Sequence, residues 1–163
     1  FQKLLNKVFK EKAGIQNIVS FYKLDGLSKA GNAHNMFYAT RYDYLRIAKA
    51  IMDDYQNETC VGKYLKEIYD RRVLKNVNPH GSRGEPHFNR TKSYGGQFHL
   101  DYPGIEGKVV FGMGGYGGKA ILIDVEDSRI VVVNTIHYNH DRFKYDHHKL
   151  LINPIKHGKK SFK

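Results

Sequence analysis

The chain has 163 residues, 27 of them Lys or Arg against 16 Asp or Glu, a net charge of +11, with 40% hydrophobic and 13% aromatic residues. That apolar share excludes a disordered chain and suffices for one core, while the single cysteine, Cys60, excludes an internal disulfide. No apolar run is long enough to span a bilayer as a helix, so no transmembrane segment is expected.

The basic excess is spread along the chain and becomes dense only in the tail 156–163, with no nucleic-acid motif beside it, so no nucleic-acid partner is expected. The start Phe1-Gln2-Lys3 has neither an initiator methionine nor a signal-peptide pattern, and the chain reads as a piece of something longer. Phe1, Leu4, Leu5, Val8 and Phe9 recur at helical spacing with lysines opposite, which predicts an amphipathic helix over 1–12, ended by Gly14. Residues 17–35 are polar and read as a long loop. Thr40-Arg41-Tyr42-Asp43 fits a capping box with Asp in the usual Glu place. It opens a helix to about Tyr55 whose inward face holds Leu45, Ala48, Met52 and Tyr55, widened by Tyr44, Ile47 and Ile51. A second helix is predicted from Thr59 to Tyr69 with Val61, Leu65 and Ile68 inward. Residues 71–92 are polar, carry Gly and Pro, and read as a surface loop.

Ser93 to Asp101 reads as one strand, turned by Tyr102-Pro103-Gly104. Val109-Val110-Phe111 then leads into Gly112-Met113-Gly114-Gly115-Tyr116-Gly117-Gly118, five glycines in seven residues, before a second apolar run from Lys119 to Val125. Such a cluster marks a sharp turn or a place where another molecule approaches the backbone. A short acidic link, Glu126-Asp127-Ser128, joins that run to another over 129–136, as in an antiparallel hairpin. Ile121-Leu122-Ile123 and Ile130 to Val133 are apolar at successive positions, so both faces of these strands should be covered. Leu150-Leu151-Ile152 predicts a final helical turn, short and broken by Pro154. The fold class is therefore α+β, an antiparallel β-meander packed with flanking helices.

Phe111-Gly112-Met113-Gly114-Gly115-Tyr116-Gly117-Gly118, followed by two hydrophobic strands with an acidic turn, resembles the C-terminal part of the β-lactamase-related serine hydrolases. These include class C β-lactamases, DD-peptidases and esterase-like relatives. Phe37 to Ala48 is similar to the helix start that precedes the last strands in that superfamily. The resemblance covers residues 37–140 most closely. It implies a single partial domain, with 1–36 the helix and loop at the helical-subdomain junction and 37–163 the C-terminal helices and antiparallel sheet of a β-lactamase/transpeptidase-like fold.

Family members use a Ser-x-x-Lys whose serine is the nucleophile, a Tyr-x-Asn whose tyrosine moves protons, and a Lys-Thr-Gly-like triplet on an edge strand. Carried over by position, Met113 stands in the Lys or His place of the third element, with Gly114 and Gly115 after it. These three would bind substrate, and the Tyr116 backbone amide would be the oxyanion donor. Met113 departs from the pattern, since a thioether carries no charge and binds a carboxylate poorly. Ester or amide hydrolysis is thereby favoured over recognition of β-lactam or D-Ala-D-Ala.

Ser20-Phe21-Tyr22-Lys23 and Tyr55-Gln56-Asn57 match the first two elements literally. Both are rejected: a chain this rich in lysine holds about one Ser-x-x-Lys by chance. The nucleophile must open a buried helix, whereas Ser20 falls in a polar stretch and Tyr55 at a helix end. The true elements are expected upstream of Phe1. His137, His140, His147 and His148 lie near one end of the last strand, but no cysteine or carboxylate pair completes a familiar ligand set, so no metal is assigned and these read as surface histidines.

The expected protein is thus the C-terminal portion of a serine hydrolase that attacks an ester, amide or lactam through an acyl-enzyme and needs no cofactor. By family analogy it would be periplasmic or membrane-associated. Two other readings stay open: a non-catalytic module that accepts an extended peptide along the glycine strand, and a nucleic-acid binder with steeply salt-dependent retention.

Overall fold

The computed structural model describes residues 2–24, 34–75, 90–115, 118–134 and 146–158. The chain divides into two compact units, Phe1–Ala50 and Ile51–Lys163. Described elements are mixed helix and strand, and their larger sheet is wholly antiparallel, as an α+β meander requires.

In the first unit α1 (Gln2–Asn6) passes without a break into π-helical turns over Lys7–Lys12, and Gly14 follows at φ +66°. Only part of the predicted apolar face is covered, since Leu4 and Val8 are exposed. The expected loop over 17–35 instead contains β1 (Ser20–Leu24), paired antiparallel with β2 (His34–Tyr38). Its pairing is a cross-strand contact, and a polar segment without alternation gives no local sign of it. Phe37 joins the elements of this unit: its ring stacks on Phe9 at 5.4 Å and meets Tyr44 edge-on at 5.7 Å.

Helix α2 (Arg41–Gln56) starts where its cap places it. The Asp43 amide donates to Thr40 Oγ1 at 3.1 Å, and the Thr40 hydroxyl donates back to the Asp43 carboxylate at 2.8 Å. Ala48 and Met52 are buried as expected, but Leu45 is exposed. Helix α3 (Cys60–Asp70) is N-capped by Thr59, whose hydroxyl accepts from the Gly62 amide. Leu65 faces inward; Val61 is exposed, contrary to expectation.

The second unit holds the six-stranded meander in sequence order. Its strands are β3 (Val73–Leu74), β4 (Ser93–Gly95), β5 (Phe98–Leu100), β6 (Val110–Gly115), β7 (Lys119–Asp124) and β8 (Arg129–Val133). The single strand expected over 93–101 is a hairpin, because Gly96 and Gln97 take φ +52° and +72° and turn the chain back. Two successive positive φ values make the primed turn that suits the twist of a two-residue hairpin. β3 arises inside the predicted 71–92 loop; residues 76–89 of that loop lie outside the described residues.

β7 is buried along almost its whole length, so both its faces are covered as its sequence predicts. β8 is half-buried throughout, because it is the sheet edge. Asp124 closes the β7–β8 turn by accepting from the Glu126 and Asp127 amides, at 3.2 and 3.0 Å.

Alternation sorts the sheet into two faces. One brings Phe98, Phe111, Tyr55 and Tyr69 together, with ring centroids 5.1 to 6.2 Å apart. The other packs Tyr102, Val110, Ala120 and Leu122 against Leu151, Ile152 and Ile155 of helix α4 (His147–His157). α4 is not broken by Pro154, which lies inside it. The missing Pro154 amide would have bonded the carbonyl of Leu150, a residue on the exposed side of the helix, where water can replace the donor.

Candidate functional site

The site residues taken from the sequence fall on β6 and its hairpin. Met113, Gly114 and Gly115 form the C-terminal half of β6; Tyr116 lies outside the described residues. On one side all six residues of β6 pair with β7, from Val110↔Asp124 to Gly115↔Lys119. On the other, β5 is in register at a single point, His99↔Gly112. From Met113 to Gly115 that second edge has no strand partner among the described residues, and Gly114 and Gly115 are exposed. A strand with one open edge presents alternate N–H and C=O groups in a row, ready to pair with an extended chain or to bind a carbonyl oxygen.

The glycines of this strand act by their lack of a side chain, and at Gly112 the reason is inside the protein. A Cβ there would sit 1.6 Å from the Tyr102 hydroxyl oxygen, which fills the space beneath the strand. Tyr102 is fully buried, and burial pushes its phenol pKa far up, so it stays neutral. Met113 shares a face with Phe111, two residues along from the aromatic cluster.

Two polar groups that sequence reasoning missed stand beside this strand. His99 is opposite Gly112 and 5.1 Å from the Tyr94 ring. Burial, and then the nearby Lys75 charge, pull its pKa down to about 4. Lys75 donates to Thr91 Oγ1 at 2.5 Å, and burial lowers its pKa as well. Further along, Asp101 accepts from Arg72 Nε at 2.5 Å and from the Ser93 hydroxyl. Burial opposes ionisation of Asp101, but these donors outweigh it and hold its pKa below the ordinary carboxylate value. A carboxylate so stabilised is a poor base, and Ser93 is wholly buried, so this trio does not make an activated nucleophile.

Literal motif matches elsewhere are accounted for structurally. Ser20 lies on strand β1 and not, as its sequence suggested, in a loop; three-residue spacing that stacks a serine over a lysine on a helix does not do so on a strand. Tyr55 packs edge-on against Phe111, and Gln56 donates to the Val125 carbonyl and to Ser128 Oγ. The expectation of surface histidines is corrected for His147 and His148, which are 2% and 7% exposed. They open α4 on its buried side, a placement that only the docking of that helix decides. His137 and His140 lie outside the described residues, and among the described residues no group of three or more His, Cys, Asp or Glu is placed to hold a metal ion. Nor is any described helix long and apolar enough to cross a membrane.

Comparison of the chain with protein-family models, with curated proteins and with solved structures gives no match.

Proposed function

We propose that this chain is the C-terminal portion of a β-lactamase-related serine hydrolase and that β6 is the strand along which its substrate lies. The observation that carries the reading is the open edge of β6 from Met113 to Gly115, where pairing with β5 has stopped at Gly112. Glycine at 114 and 115 keeps that backbone approachable, as a bound acyl group requires.

In the reaction, the serine of a helix-borne Ser-x-x-Lys outside residues 1–163 adds its oxygen to an ester or amide carbonyl carbon. Its proton passes through a neighbouring base to the departing alcohol or amine. Water then attacks the acyl-enzyme, releasing the acid and restoring the serine hydroxyl. The part of this chain is electrostatic: β6 and the Tyr116 amide donate to the oxyanion, with no cofactor. Periplasmic or membrane-associated placement follows from family analogy alone.

Met113 in the place of a lysine or histidine favours a second reading, a non-catalytic module that takes an extended peptide along the same edge. One experiment separates them. A longer chain from the same reading frame is treated with a serine-reactive fluorophosphonate. Labelling that disappears when an upstream Ser-x-x-Lys serine is replaced supports the hydrolase; a folded longer chain that takes no label overturns it and leaves the peptide module.

A further inference from the structure

The first unit is short of acids. Residues 1–50 hold nine Lys or Arg against three Asp or Glu, so +6 of the chain's net +11 falls in less than a third of its length. Among the described residues of this unit the acids are Glu11 and Asp43, and Asp43 is buried, bonded to Arg46, Thr40 and the segment 16–17. Lys3, Lys7, Lys10 and Arg41, by contrast, are all exposed.

The same unit exposes apolar groups out of proportion to its size. Leu4, Val8, Ile18, Tyr38, Tyr42 and Leu45 are six of the eleven large hydrophobic side chains so placed among the described residues, and Ile18 is the extreme case at 84%. Beside Ile18 a cleft of about 200 Å³ opens between α1, with its π-helical turns, and residues 15–19. Leu5, Phe9, Ile15 and Val19 form its floor, while the exposed Lys10 and Ile18 stand at its mouth. Leu4 and Val8 are about one turn apart on the same helix, with Lys3 and Lys7 beside them. Apolar surface and positive charge therefore adjoin along α1.

Asn17 continues this surface to the start of α2. Its side chain and its amide both donate to the Asp43 carboxylate, at 2.9 and 3.3 Å, which holds Ile18 near the turn that carries Arg41 and Tyr42. There the Arg41 guanidinium lies 5.5 Å from the centre of the exposed Tyr42 ring. Contiguous apolar surface rimmed by charge of one sign marks an interaction site. A nucleic-acid backbone would use the cations but not the aliphatic side chains. An anionic lipid surface uses both, since Lys and Arg meet the headgroups while Leu, Val and Ile enter the acyl boundary.

We propose that the α1 side of the first unit docks on an anionic lipid membrane, with Leu4, Val8 and Ile18 entering the acyl boundary and Lys3, Lys7 and Lys10 at the headgroups. The inference does not rest on the hydrolase reading.

Co-sedimentation of the full 163-residue chain with vesicles tests this. At low salt, vesicles rich in phosphatidylglycerol should bind it more than about 100-fold more tightly than phosphatidylcholine alone, at about 5-fold for each of the three lysines. Lys3→Gln with Lys7→Gln should cost about 25-fold on the anionic vesicles. Ile18→Ser should cost about 10-fold, while Tyr64→Ser, at an exposed aromatic of the second unit, should cost nothing. All four positions are exposed, so the variants keep their fold. Equal binding to both kinds of vesicle, binding to neither, or an equal loss from Tyr64→Ser overturns the proposal. So does tighter binding to a single-stranded oligonucleotide that the lysine variant weakens and Ile18→Ser leaves alone, which would make this a nucleic-acid surface. A folded longer chain from the same reading frame that no longer binds the anionic vesicles overturns it too, and means that another segment covers α1. None of these outcomes bears on the fluorophosphonate labelling that tests the hydrolase.

Discussion

The Asp43 site in the first unit and the His147–His148 pair in the second are both buried ionisable clusters, yet they deal with burial in opposite ways. Asp43 stays charged. Burial pushes its carboxyl up, but donors from the Gln16 amide, Asn17, Thr40 and Arg46 outweigh that and bring it to about 2. For the two histidines burial is the largest influence and, with the Arg90 charge beside it, lowers both pKa values, although the Pro103 carbonyl that His148 meets pulls the other way. Whether a buried group keeps its charge is decided by the donors and charges around it, more than by depth. Acid should therefore reach the two units at different pH values.

That order is the largest effect expected. A depressed imidazole stabilises fully above 6.5 and loses its contribution as pH falls, and His99, brought down to about 4, extends the loss. The depressed Asp43 carboxyl is stabilising above 3.8 and fails only as pH approaches about 2. Residue-resolved exchange at falling pH should show the meander loosening between 6.5 and 4 while the Asp43 cap remains protected; simultaneous loss in both units would refute the contrast.

Gly112→Ala should break the second cluster outright. Its Cβ would overlap the Tyr102 oxygen at 1.6 Å, forcing the ring off His148, and we expect a loss of about 3 kcal/mol in urea unfolding. Pairing it with Tyr102→Phe, which removes the clashing oxygen, should recover a large part. Equal stability of the single variant and the parent would show that the close approach is unimportant.

Asp43→Asn should break the first. It turns one acceptor into a donor among donors at 2.8 to 3.3 Å, for a cost of about 2 kcal/mol at pH 7, consistent with the shift from 3.8 to about 2. At pH 2 the difference from the parent should shrink. A gap that persists there would mean packing, not charge, explains it. Arg71→Ala serves as the lower bound: its pair with Glu67 at 2.9 Å is open to solvent on both sides, so unfolding should change by less than about 0.5 kcal/mol.

Local signals in this chain were readable wherever a structure is made by neighbours. Thr40 and Asp43 cap α2 because a threonine and an acid three apart meet the free amides of a helix start, and Thr59 opens α3 by the same chemistry. The unbroken apolar run of β7 announced cover on both faces, and the glycine cluster marked the strand now seen with an open edge. Inward faces were less exact, as exposed Leu45 and Val61 show, because helical spacing gives a stripe and not the neighbour that covers it.

What the amino-acid order determined by itself was the strands β6 to β8 of the meander, the two capped helices and the place of the glycine-rich segment, since caps, turns and apolar periodicity act within a few residues; β3 and the β4–β5 hairpin were not read from it. Tertiary structure alone decided that Ser20 belongs to a strand, that α4 runs through Pro154 and buries His147 and His148, and that Gly112 is needed to admit Tyr102. Each of those depends on a partner distant in sequence. Burial, and with it the protonation state of an imidazole, is a property of the packed neighbours that no local pattern encodes.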